Sequence, residues 1–154
     1  MSVNTAEGVT VAIGTTLAAT TLMQYESDVY TVLGECEDAG QVGDEAQLIS
    51  FTALADGRTR KFKGPYDAGT MAIVCGADTL DPGQLAMVAA VATKFNYNFR
   101  VTLADPTSLT GEPTTLYFSG QVASERWNIG NVSNIIKRTF NVAVNTPILV
   151  VDPT

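Results

Sequence analysis

The chain has 154 residues, 45% of them apolar and 16% charged, with a net charge of −7 and no histidine. That length suits one domain with its own core, and the charge density lies below the roughly 25% usual for soluble domains, as suits a surface largely covered by partners. The negative balance argues against a general nucleic-acid binder, which needs cations to displace counterions from phosphate, and the missing histidine excludes Ser-His-Asp and Cys-His nucleophiles, histidine zinc sites and histidine pH switches.

In chain order, residues 1–10 carry no basic region and no long apolar run, so no signal peptide is expected. No stretch of about 18 apolar residues predicts a transmembrane helix. Residues 9–13 read as a first strand broken by Gly14, and residues 30–33 as a second. Residues 35–45, ECEDAGQVGDE, hold five acids and two glycines and read as a long exposed loop. Residues 47–53 and 59–62 form a weaker strand pair around the turn Ala55-Asp56-Gly57, and residues 71–75 are strongly β-prone. One helix is predicted over 82–94, with Asp81 as N-cap, Pro82 at the first position, and Leu85, Val88, Ala89, Ala92 and Phe95 on the buried face. Three final strands alternate around Phe99 and Val101, around Phe118, Gly120 and Val122, and around Phe140, Val142 and Val144, each burying one side. Residues 105–113 read as the tip between the first two of these, and the tail from Pro147 as a surface segment. The fold class is α+β, mainly β: a β-sandwich flanked by one helix, in a single domain spanning 1–154 with its core over about 8–147.

Chemistry finds little foothold. Glu35, Glu37, Asp38, Asp44 and Glu45 lack the ligand order of a calcium loop and read as a solvated acidic loop. Arg58, Arg60, Lys61 and Lys63 form the one dense basic run, either an ion-pairing patch for an acidic neighbour or a charged hairpin face. An acidic loop and a basic run on one subunit suit head-to-tail association, with the loop mobile in the free chain and ordered against a neighbour. Cys36 and Cys75 cannot make a four-ligand zinc site or a CxxC pair, and a disulfide between them is not expected without a secretory signal. Trp127 reads as a core or turn aromatic in preference to a ligand-stacking one. No glycine pattern supports a phosphate loop, and neither an enzymatic activity, a metal nor a cofactor is expected.

Three short motifs in order, Asp67-Ala68-Gly69-Thr70, Asp81-Pro82-Gly83-Gln84 and Ser119-Gly120-Gln121-Val122, followed by Arg138-Thr139-Phe140-Asn141-Val142, resemble the tail tube (major tail) proteins of long-tailed, non-contractile bacteriophages, the lambda-like family. The resemblance spans about 8–147, without the C-terminal immunoglobulin-like domain of the lambda protein. It implies a structural virion protein in the tail, assembled in the host cytoplasm. Hexameric rings, each with an inner β-barrel formed by strands of all subunits, would stack into a hollow tube through which viral DNA passes. Its implied partners are other copies of the chain, the tape measure protein, the tail terminator and the tail tip proteins, with no membrane insertion. The polar faces of the last strands, Asn98, Arg100, Thr102, Ser119, Gln121, Lys137, Thr139 and Asn141, are then expected to line the lumen. An acidic chain suits a channel that lets DNA slide, but with Arg100 and Lys137 on that face the negative potential has to come from ring-edge loops such as those of Asp105 and Glu112, or from pairing of these cations across subunits. The alternatives are a surface-located β-sandwich binding or adhesion module, which stays monomeric, and a related tail ring such as a terminator or distal tail protein.

Overall fold

A computed structural model describes residues 3–154. In chain order the elements are β1 (Thr10–Ile13), α1 (Leu22–Ser27), β2 (Thr31–Val32), β3 (Cys36–Asp38), β4 (Glu45–Thr52), β5 (Thr59–Asp67), β6 (Thr70–Gly76), α2 (Pro82–Val91), β7 (Tyr97–Thr102), β8 (Thr115–Asn128), β9 (Lys137–Val144) and β10 (Leu149–Val151). The protein is mainly β, a sandwich-like antiparallel sheet flanked by helix, and the single chain closes no barrel. The main sheet runs β2-β1-β7-β8-β9-β6-β3, with β10 beside the start of β8; β4 and β5 form a separate two-stranded sheet.

The alternation of the central strands does what period-2 patterning requires. Phe99, Val101, Phe118, Phe140, Val142, Met71 and Ile73 fall on one face and are buried together with Met87 and Ala90 of α2. Phe99 and Phe118 stack at 5.4 Å between centroids. Gly120 sits directly against β9, where a Cβ would lie 2.5 Å from the Ala143 carbonyl oxygen. The Asp67-Ala68-Gly69 turn delivers β6 as expected, with the Gly69 amide donating to the Asp67 carboxylate at 2.8 Å and Gly69 at φ +73°.

Helix α2 starts where its cap predicts, but it presents a different stripe. Gly83, Gln84, Met87 and Ala90 are buried, whereas Leu85 and Phe95 are 50% and 65% exposed. The reason lies at the first turn. The Asp81 carboxylate accepts from the Gln84 and Gly34 amides, and the Gln84 side chain donates to the Gly34 and Gly76 carbonyls at 3.2 and 2.8 Å while accepting from the Asp78 amide. Those bonds turn the helix so that Gly83 lies on β2, where a Cβ would stand 2.3 Å from the Val32 carbonyl oxygen. Gly83→Ala is expected to lower stability by about 1–3 kcal/mol, because backbone cannot yield as a side chain would; a urea midpoint unchanged from wild type would contradict this contact.

Helix α1 was not expected. Thr21 caps it, and the Thr21 and Gln24 side chains close a reciprocal capping box. The acidic segment is not all loop either: Cys36–Asp38 forms β3, an edge strand on β6, and Glu45 opens β4, leaving 39–44 as the loop proper. The C-terminal tail pairs with β8 through β10, and Thr154 exchanges hydrogen bonds with Glu112 at the 103–114 tip.

Candidate functional site: an uncovered hairpin and an open sheet edge

Every residue of β4 and β5 except Ala46 and Gly64 is exposed. The register Ile49↔Phe62 and Phe51↔Arg60 puts Ile49, Phe51 and Phe62 on one face, with Arg60 at its end; Leu48↔Lys63, Ser50↔Lys61 and Thr52↔Thr59 make the other face largely cationic and polar, Leu48 apart. The three apolar side chains on the first face are each more than half exposed. An isolated two-stranded hairpin is marginal in water, and an apolar face of this kind marks a contact site. Within the basic run, Arg60 pairs with Asp56 of its own turn at 2.8 Å. Of the acidic residues, Glu37 pairs with Lys137 of the same chain at 2.6 Å. Glu35, Asp38, Asp44 and Glu45 are exposed, with Glu35 at a left-handed φ of 58° before β3.

The face expected to line a channel divides in two. Over β7 and the start of β8 it is covered by residues 14–30, so Asn98 and Ser119 are buried and closed to solvent. The Ser119 hydroxyl donates to the Asn98 side-chain carbonyl at 2.7 Å, and the Asn98 amide donates to the Leu17 carbonyl and the Asp28 carboxylate, both at 2.9 Å. Arg100 lies over the Tyr30 ring at 4.8 Å, and Tyr25 stacks on Tyr117. Thr102, at the end of β7, is half-buried. This cover was illegible in the strand pattern because a polar Asn-Ser-Asp network takes the place of an apolar contact; the Thr21-x-x-Gln24 box was the signal for it.

Burial works against a charge on Asp28, but hydrogen bonds from the Thr15 hydroxyl and amide, the Asn98 amide and the Val29 amide outweigh it and hold the carboxyl below its ordinary value of 3.8. The stabilisation from this depressed group is present above 3.8 and is lost as pH falls through the lower folded value. Asp28→Asn is therefore expected to be less stable than wild type at neutral pH and to lose less stability below about pH 4. Urea titrations at a series of pH values test it, and parallel pH profiles for the two proteins would refute it.

The remainder of the face stays open. Gln121, Lys137, Thr139 and Asn141 are half-buried there. A bulge between Val122 and Ser124 adds residues that strict alternation would place on the opposite side. After it, Ser124, Arg126 and Asn128 pair with Asn141, Thr139 and Lys137 and share their face, and the Asn141 amide donates to the Ser124 hydroxyl at 2.9 Å. The same shift moves Trp127 to the core side, half-exposed at the end of β8 rather than in the core or a turn, with the buried Arg138 guanidinium over its ring at 4.3 Å. Beyond Gly120, where β7 begins to pair, residues 121–128 of β8 are, among the described residues, bonded to β9 on one side only, leaving an open edge. Among the described residues no group of three or more His, Cys, Asp or Glu is placed to hold a metal.

Solved structures with this fold were found. A chain of the anti-feeding prophage baseplate, determined with six-fold symmetrisation, superposes with a TM-score of 0.68 at 10% identity, covering 99% of this chain and 98% of that one. A chain of the SPP1 tail tube gives 0.62 at 12% identity over 92% and 75%. A chain of the sheath/tube terminator of an extracellular contractile injection system, PVC, gives 0.64 at 9% over 96% of both. This is the fold of tail and injection-system components. No family model matches the sequence, and no curated protein does. The likeness includes a contractile system, so the fold does not single out the non-contractile, lambda-like group.

Proposed function

We propose that the chain is a non-enzymatic structural subunit of a virion tail, closing into hexameric rings that stack into a hollow tube for viral DNA, in a non-contractile phage. The β4–β5 hairpin carries this reading: its face of Ile49, Phe51 and Phe62 has no cover among the described residues and calls for one from a neighbouring copy. The open edge of β8 supports ring closure by sheet extension, since an unpaired edge of this length is otherwise an aggregation hazard. The fold likeness, extending over at least 92% of the chain in each case, supports the tail assignment. In this reading Gln121, Thr139 and Asn141, joined by Ser124, face the channel; Lys137 is already neutralised by Glu37 of its own subunit, and Asn98, Arg100 and Ser119 belong to the subunit's interior contacts. The tape measure, terminator and tip proteins are the further partners of such a tube, and the host cytoplasm its place of assembly.

Likeness to a sheath/tube terminator and to a baseplate chain favours one second reading, a ring at an end of the tube. Light scattering at rising concentration followed by negative-stain microscopy separates the two. Tubes of variable length with a stain-filled lumen are expected; single rings that never elongate support the terminal-ring reading. Dispersed monomers at every concentration, with and without preformed tail tips as seeds, would overturn both.

A further inference from the structure

We propose that Cys36 and Cys75 form an oxidation site, in which a low-molecular-weight disulfide converts the two thiols into an intramolecular bond fastening edge strand β3 to β6. The two residues are direct cross-strand partners, and their sulfur atoms lie 3.0 Å apart. The Gly76 amide donates to the Glu35 carbonyl at 2.8 Å. That makes the adjoining Glu35–Gly76 position the hydrogen-bonded pair, so the cysteines occupy the non-hydrogen-bonded position, where antiparallel side chains come closest. A disulfide bond of about 2.05 Å needs only about 1 Å of further approach.

The two thiols are unequal in a way that orders the chemistry. Cys75 is buried and Cys36 half-buried. The hydrogen bond between the two thiols holds the pKa of Cys36 below the ordinary thiol value, against the opposing effect of burial. The same bond, with burial, pushes Cys75 up. Cys36 is the thiol that a small disulfide can reach, Cys75 being fully buried, and so it supplies the attacking thiolate. Its sulfur displaces one thiolate from the small disulfide and forms a mixed disulfide; Cys75 then gives up its proton to water, attacks the Cys36 sulfur and expels the second thiolate. One small disulfide is reduced to two thiols as the protein dithiol is oxidised.

The bond would have a mechanical effect. β3 is three residues long, is irregular after Cys36 and pairs only with β6. After six intervening residues the exposed hairpin begins, and the hairpin's other end runs into β6. Closing the bond anchors both roots of the hairpin to one strand. The chemistry is confined to a single chain and holds whatever that chain assembles into.

The full chain, reduced and then incubated with excess oxidised glutathione at pH 8, tests this. Wild type is expected to lose two hydrogens by intact mass, to yield a linked Cys36–Cys75 peptide, and to gain roughly 10 °C in Tm, reversed by dithiothreitol. Cys75→Ser should stop at a single glutathione adduct on Cys36, and folded Cys36→Ser should stay unmodified. Wild type that retains both thiols, accumulates glutathione adducts or links chain to chain overturns the proposal, as does an internally bonded form with a Tm no higher than the reduced one.

Discussion

Threonine at Ile49, Phe51 and Phe62 together is expected to abolish self-association while leaving the unfolding free energy of the isolated chain within about 0.5 kcal/mol of wild type. All three side chains are more than half exposed and lie on one face of a hairpin whose residues, Ala46 and Gly64 apart, are all exposed. Their removal therefore costs the fold little, and threonine keeps the strand preference. Covering one such side chain is worth about 1.5–3 kcal/mol, so the triple change should cost roughly 5 kcal/mol per contact, about 10^3–10^4-fold in affinity. Sedimentation velocity of both proteins at matched concentration reads this directly. Assembly undiminished by the substitutions would show that the hairpin face is not what joins the copies. The polar face serves as a control: Ser50→Thr should change neither quantity.

The second large effect is expected inside the fold. Gln84→Leu should lower stability by about 3 kcal/mol, roughly 10 °C in Tm, although leucine matches the volume and raises the apolarity of a fully buried position. Glutamine there bonds the carbonyls of Gly34 and Gly76 and the amide of Asp78. Leucine leaves those backbone groups without partners in a place that water reaches poorly. Leu85→Ala, one residue along on the half-exposed side of α2, should cost well under half as much. Calorimetry of the two variants decides between this and the apolar-stripe reading of the helix, under which Leu85 carries the larger loss.

That contrast shows which features the sequence carries openly. The central strands were legible because each buries one side against a single core, and burial on one side writes itself as period-2 alternation: Phe99, Val101, Phe118, Phe140 and Val142 all lie where that period puts them. The start of α2 was legible because a cap is a local bond between Asp81 and an amide three residues on. The turn at Asp67-Ala68-Gly69 was legible for the same local reason.

What remained hidden depends on partners distant in the chain. The helix turned its Gly83–Gln84 side inward because Gly34 and Gly76 supply the acceptors, and nothing near residue 84 announces them. Asn98 and Ser119 look solvent-facing by composition and are buried because residues 14–30 fold over them with matching polar atoms. One extra residue at the Val122–Ser124 bulge reverses the faces of everything after it in β8, and bulges leave no periodic trace. Cys36 and Cys75, thirty-nine positions apart, meet only through the register of β3 on β6. The amino-acid order by itself determined the elements with local causes, the apolar core face and the absence of any histidine chemistry. Tertiary structure decided which polar residues are interior, which way the helix and the end of β8 face, and which apolar side chains are left for another molecule to cover, because each of these is set by long-range register and by buried hydrogen bonds rather than by neighbours in sequence.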